Sequence, residues 1–174
     1  MVKIVTRLGK LATLGLAAVM LTGVQSRTGG FESRMVSAHN YERAALGVGP
    51  VRWNDSLAAG AQEWADHLSA TGQFAHSPDE KGGPQIGENI WGGTKGHFSL
   101  ESMVHLWIAE KQHFVPGTFP HTSATGNPAD VSHYTQLVWR DTVEIGCGLS
   151  GAGGEEILVC RYSRPGNVVG QEVY

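Results

Sequence analysis

Residues 133–139 have the sequence HYTQLVW, in which the side chains alternate. Because every second residue of an extended chain faces the same side, the alternation places His133 with Leu137 and Trp139. Aromatic and β-branched residues suit a pleated, half-buried surface, so the stretch predicts a β-strand. The preceding residues 115–131 contain three prolines and no helical period. His133 is therefore predicted where a long loop enters a sheet, a common position for functional residues. A hydrogen-bonded structural histidine is the alternative.

Two longer segments resemble a known family. Residues 132–139, with Thr142 and residues 145–148 (IGCG), resemble the first signature of the CAP superfamily, which comprises cysteine-rich secretory proteins, antigen 5 and pathogenesis-related proteins. Residues 157–168 (ILVCRYSRPGNV) resemble the second signature. The resemblance covers nearly all of the chain from about Phe31 onward.

The order of the elements predicts an α+β fold. Residues 31–46 have a helical apolar pattern that ends at Gly47. A second helix is predicted after the N-cap candidates Asn54, Asp55 and Ser56, with its end at Gly72, and a third after the N-cap Ser99. Strands are predicted late in the chain, and helices covering an antiparallel sheet are the architecture that such an order favours. The resemblance implies an α-β-α sandwich, with a small antiparallel sheet between helices.

The first residues have the pattern of a secretory signal. Lys3, Arg7 and Lys10 precede the apolar run 11–21, which is too short to span a membrane and is followed by small residues near Ser26. We predict that residues 1–26 are a signal peptide and that residues 27–174 form one CAP domain, also called an SCP domain. An uncleaved membrane anchor is the alternative.

The composition limits the partners of the mature protein. Removal of the predicted signal leaves ten basic residues against sixteen acidic ones, a net charge of about −6. No basic cluster remains, which disfavours nucleic acids and anionic membrane surfaces as partners. We expect a secreted monomer, extracellular or periplasmic, with no transmembrane segment in the mature chain.

The two cysteines are expected to form a disulfide in a secreted protein. Two alternating strands on either side of the turn 150–154 allow Leu149 to pair with Leu158, and this register puts Cys147 opposite Cys160. A redox or metal-binding pair is the alternative, but the C-x-x-C spacing is absent.

Glu110 is the strongest physical indication of a functional site. It shares a predicted helix face with Met103 and Trp107, so a carboxylate interrupts an apolar stripe. A glutamate at the rim of the stripe that reaches water is the alternative.

The resemblance implies a cleft tetrad of His76, Glu88, Glu110 and His133. Two imidazoles, His76 and His133, can ligate Zn²⁺ or another divalent cation, while two carboxylates orient them or act as acid and base. The same four residues could instead form a hydrogen-bonded network that braces the cleft.

Three functions follow from these observations. The favoured one, implied by the resemblance, is a secreted binding protein with a divalent-cation site and a lipid or sterol ligand. A metal-dependent hydrolase is the second, although the resemblance implies no agreed enzymatic activity and we assign none. The third is an extracellular interaction or signalling protein that acts through its surface or C-terminal peptide, because residues 165–174 resemble the released tail of plant members. We expect no cysteine-rich C-terminal extension, so the resemblance does not imply channel blocking.

Overall fold

The computed structural model describes residues 28–78 and 85–174. The predicted signal peptide, residues 1–26, lies outside the described residues, and so does Arg27. Within the described ranges there are four α-helices, four β-strands and two short 3₁₀ helices. In chain order they are α1 (Phe31–Ala45), β1 (Arg52–Trp53), α2 (Asp55–Thr71), β2 (Gly87–Thr94), α3 (Leu100–Ala109), the 3₁₀ helices Glu110–His113 and Pro128–Val131, α4 (Ser132–Leu137), β3 (Glu144–Ser150) and β4 (Glu155–Ser163).

The predicted starts of α2 and α3 and the predicted end of α2 are confirmed by their caps. The side chain of Asn54 accepts a hydrogen bond from the N–H of Leu57 at the start of α2. Gly72 ends α2 in the left-handed conformation, which glycine adopts at little steric cost. Ser99 caps α3 by accepting from the N–H of Ser102.

The strand predicted at residues 133–139 is wrong, because the segment forms α4 and the turn that follows it. All residues from Tyr134 to Trp139 are buried, so the alternation does not separate a buried face from an exposed one. Glu110 accepts hydrogen bonds at the first turn of α4, and the hydroxyl of Thr135 bonds the carbonyl of Val131 one turn earlier. The helix is therefore favoured by the distant Glu110 carboxylate as well as by a local hydrogen bond.

The sheet has the strand order β1-β3-β4-β2. β3 and β4 are antiparallel as predicted. β2 adds a further antiparallel strand that was not predicted, and the two-residue β1 runs parallel to β3, so the sheet is mixed. The predicted register is confirmed: Leu149 pairs with Leu158 and Cys147 with Cys160. The predicted disulfide joins these two cysteines.

The sheet is packed between two layers of helices. Successive residues of β2 and β4 point to opposite faces: Ile90, Ile157 and Val159 pack against α2, whereas Trp91 and Leu158 belong to the core shared with α1, α3 and α4. The α-β-α sandwich implied by the resemblance is confirmed.

The C-terminal segment is part of this fold. The N–H of Phe119 bonds the carbonyl of Gln171 at 2.9 Å, and the N–H of Arg140 bonds the carbonyl of Val173 at 2.8 Å. The side chain of Val173 is only 1% exposed. The tail is thus held by backbone hydrogen bonds and by a buried anchor close to its end.

None of the helices in the described part of the chain is long and apolar enough to cross a membrane.

Candidate functional site

The first part of the candidate site lies where the 3₁₀ helix after α3 meets the start of α4. Oε1 of Glu110 accepts a hydrogen bond from Nδ1 of His133 at 2.6 Å. Oε2 accepts from the backbone N–H groups of His133 and Tyr134, each at 3.0 Å. The ring of Trp107 is nearly parallel to that of His133, at an interplanar angle of 10°. One carboxylate thus holds both the backbone and the ring of His133.

The second part joins the segment after α2 to the beginning of β2. Nδ1 of His76 lies 2.9 Å from Oε1 of Glu88. Ser77 donates to the same carboxylate twice, through its N–H at 2.9 Å and its hydroxyl at 2.8 Å. Nε of Arg161, the β4 partner of Glu88, lies 3.4 Å from Oε2. The side chain of Glu88 is 7% exposed, so these contacts replace most of its hydration.

The electrostatics of this pair favour its charged form. The hydrogen bond to Glu88 raises the pKa of His76 above its ordinary value of 6.5, although burial opposes the shift. Burial by itself would raise the pKa of Glu88, but the bonds from His76 and Ser77 and the charge of Arg161 outweigh it, and the net pKa is lowered.

The hydrogen bonds define which ring nitrogen of each histidine is available. A carboxylate accepts, so Nδ1 of His76 and Nδ1 of His133 carry the proton. In the neutral rings Nε2 then bears the lone pair, and in the described part of the chain neither Nε2 has a hydrogen-bond partner. This is the arrangement in which a carboxylate orients a metal-binding histidine.

The structure brings the four predicted residues together as two pairs, His76 with Glu88 and His133 with Glu110. Asn89 connects the pairs, because it follows Glu88 in β2 and donates to the carbonyl of His133 at 3.0 Å. Across residues 28–78 and 85–174, no group of three or more His, Cys, Asp and Glu side chains could hold a metal ion. The convergence of all four residues in one cleft stays a prediction.

Three further residues contact the pairs and are not predicted from the sequence: Ser77, Asn89 and Arg161. Ser77 and Asn89 each follow a predicted site residue directly, which is a signal that could have found them. Arg161 reaches Glu88 only through the pairing of β2 with β4.

The sequence pattern of the cysteine-rich secretory protein family, CAP, matches residues 36–162. The chain belongs to this family. The match includes all four residues of the two histidine–glutamate pairs and both cysteines.

Plant and fungal relatives support this assignment. The chain is 39% identical over 140 residues to a "Pathogenesis-related protein PR-1 type" of Sambucus nigra, covering 80% of this chain and 79% of the relative. It is 37% identical over 140 residues to "Pathogenesis-related protein 1C" of Nicotiana tabacum, covering 80% and 78%. It is also similar to "Protein PRY2" of Saccharomyces cerevisiae, with 35% identity over 81% of this chain and 39% of the relative.

Solved structures share the CAP fold at lower sequence identity. The structure described as "Crystal structure of NaASP2 with Zn2+" matches with a TM-score of 0.70 and 21% identity, over 88% of this chain and 87% of that one. BmVAL-1 matches with a TM-score of 0.66 and 23% identity, over 82% and 81%.

Proposed function

We propose that this CAP protein is secreted and binds a divalent cation such as Zn²⁺ through Nε2 of His76 and of His133. The observation that carries the proposal is that each Nδ1 is bonded to a glutamate, while neither Nε2 has a hydrogen-bond partner within residues 28–78 and 85–174. Two imidazoles leave the other coordination positions to water, which makes the site weak and non-structural. Zn²⁺ is the first ion to test, because a related fold has been solved with it.

The two glutamates suit the orientation of ligands better than general base catalysis. Glu88 accepts hydrogen bonds from His76 and Ser77, and Glu110 from His133 and Tyr134. These bonds occupy most of the acceptor sites of each carboxylate and favour its ionised form, and the lowered pKa of Glu88 makes it a weaker base. This geometry favours a binding protein over a metal-dependent hydrolase.

Secretion is supported by several features that do not involve the site. A buried disulfide is typical of proteins that fold in oxidising compartments. The basic and apolar pattern of residues 1–26 is that of a signal peptide.

Calorimetric titration of the secreted protein with ZnCl₂ tests the cation site. We expect one weak site at about pH 7.5, lost in the double variant His76→Ala/His133→Ala. Binding should also fall towards about pH 5, because a protonated imidazole cannot ligate. The raised pKa of His76 moves this loss to a higher pH than an unperturbed histidine would.

The matched control is His105→Ala/His121→Ala, which removes two exposed histidines outside the pairs. We expect it to bind Zn²⁺ as the wild type does. Binding that survives the first double variant and is lost in the second would place the cation elsewhere and overturn the proposal.

A lipid or sterol ligand is a second candidate, which a groove of about 570 Å³ between α2, β2 and the β3–β4 turn favours. Leu68, Phe74 and Ile157 line the groove, and Phe74, which is 64% exposed, supplies most of the apolar surface among these three. Pockets of this volume accommodate small apolar ligands. We expect Phe74→Ser to reduce uptake of a fluorescent sterol or fatty acid, whereas Tyr41→Ser, at an exposed aromatic outside the groove, should not.

A signalling role for the C-terminal peptide requires release of the tail, because Val173 is buried and its carbonyl is bonded to Arg140. A cellular response to the synthetic peptide 165–174, with none to the intact protein, would favour that function over cation binding.

A further inference from the structure

A chain of hydrogen bonds crosses the core from the carbonyl of His133 to the carbonyl of Met35. Nδ2 of Asn89 lies 3.0 Å from the oxygen of His133 and 3.2 Å from the hydroxyl of Tyr162. That hydroxyl lies 2.9 Å from Nε2 of His39, whose Nδ1 lies 2.8 Å from the oxygen of Met35. The three side chains of the chain are at most 2% exposed.

The two ends fix the direction of every bond, because a carbonyl oxygen can only accept. Nδ1 of His39 must therefore donate, and Nε2 of the neutral ring accepts from the hydroxyl of Tyr162. The oxygen of Tyr162 in turn accepts from Asn89, whose amide N–H groups serve both of its partners. Burial lowers the pKa of His39 to about 4 and so keeps its ring neutral.

This hydrogen-bond chain fixes the one backbone group of His133 that Glu110 does not hold. Glu110 binds the N–H and the ring of His133, and Asn89, in strand β2 of the sheet, binds the carbonyl of His133. Because Asn89 follows Glu88 in β2, the same bond sets α4 against the strand that carries the other pair.

We infer that Asn89 and Tyr162 are positioning residues for His133: Asn89 fixes its backbone directly, and Tyr162 fixes Asn89. The inference rests on the proposed cation site for its functional consequence, and on the hydrogen-bond chain for its structural part. Groups that orient a metal ligand without touching the metal commonly change affinity by about 10-fold or more when removed.

The test compares Asn89→Leu and Tyr162→Phe with the matched control Tyr134→Phe. Leucine has a shape similar to asparagine and brings no buried charge. Tyr134 is buried like Tyr162 and directly follows His133, but its hydroxyl bonds Glu42, which is not part of the hydrogen-bond chain. The readouts are Zn²⁺ affinity by calorimetry and amide hydrogen exchange of His133 by NMR, the latter on the metal-free protein.

We expect Asn89→Leu to lower the Zn²⁺ association constant by about 10-fold and to speed exchange of the His133 N–H several-fold. Tyr162→Phe should change both quantities in the same direction by less, and Tyr134→Phe should leave both near the wild-type values. If Tyr162→Phe does not fold, the comparison of Asn89→Leu with Tyr134→Phe in both readouts tests the role of Asn89.

Equal effects of Asn89→Leu and Tyr134→Phe on both readouts would overturn the inference. If the wild-type protein takes up no Zn²⁺, the proposed function fails, and the exchange of the His133 N–H alone decides whether Asn89 positions this residue.

Discussion

The carboxylate of Glu110 holds His133 at two atoms, with Oε1 2.6 Å from the ring Nδ1 and Oε2 3.0 Å from the backbone nitrogen. Oε2 is also 3.0 Å from the backbone nitrogen of Tyr134, so the same side chain satisfies two free N–H groups at the start of α4. A negative charge at this end of a helix is favourable, and Glu110 is therefore structural as well as part of the candidate site.

We predict that Glu110→Leu destabilises the protein by about 1–3 kcal/mol, because it leaves the N–H groups of His133 and Tyr134 without an acceptor. Glu110→Gln retains an amide oxygen and should cost less. Urea unfolding followed by fluorescence measures both variants. A Glu110→Leu protein as stable as Glu110→Gln would show that water replaces the carboxylate at no cost.

We predict that Glu88→Gln lowers the pKa of His76 towards 6.5, because a neutral amide does not stabilise an imidazolium. The titration of the His76 ring protons by NMR, without added metal, measures the change. The His133 ring serves as an internal control, since it bonds Glu110 instead. An unchanged pKa of His76 would mean that Glu88 does not cause the shift.

The shifted pKa values of His76 and Glu88 also predict how the stability of the protein depends on pH. The raised pKa of His76 gives stabilisation that is complete below its unfolded value of 6.5 and is lost as the pH rises through the folded value. The lowered pKa of Glu88 gives stabilisation that is present above its unfolded value of 4.5 and is lost as the pH falls through the folded value. The stability difference between wild type and Glu88→Gln should therefore be largest between these two values. Unfolding curves across this range measure it, and a difference that rises steadily above pH 6.5 would contradict the assignment.

We predict that reduction of Cys147–Cys160 lowers the free energy of unfolding by about 3 kcal/mol and leaves the fold intact. The disulfide closes a sequence separation of 13 residues, and the hydrophobic core lies on both faces of the sheet. Circular dichroism and thermal melting with and without reductant measure the two effects. Loss of the native spectrum at room temperature on reduction would show that the core alone does not support the fold.

We predict that Gly148→Ala destabilises the protein by about 1–3 kcal/mol or more. A Cβ atom at Gly148 would lie 2.3 Å from the Cα of Gln62, where the backbone of α2 contacts β3. Gly92→Ala is the matched control, because the atoms nearest to its Cβ, from 2.9 Å, belong to the exposed ring of Phe74, and that ring can move. Comparable melting temperatures for the two variants would mean that α2 shifts away from the sheet easily.

Local sequence determined the features that depend on neighbouring residues or on one strand pair. The caps at Asn54, Gly72 and Ser99 follow from side-chain and backbone chemistry within a few residues. The register of Cys147 with Cys160 follows from two alternating strands joined by a short turn. The family resemblance supplied the layer order and the full set of four site residues, whereas the local pattern indicated only Glu110 and His133.

Tertiary structure decided the state of residues 133–139 and the partners of each site residue. Residues 134–139 are all buried, so the alternation carried no information about faces, and the helical form depends on Glu110, which is 23 residues away from His133. The contacts of Glu88 with Arg161 and of Asn89 with Tyr162 span 73 residues. Such contacts form only when the sheet brings distant segments together, and no local pattern in the sequence specifies them.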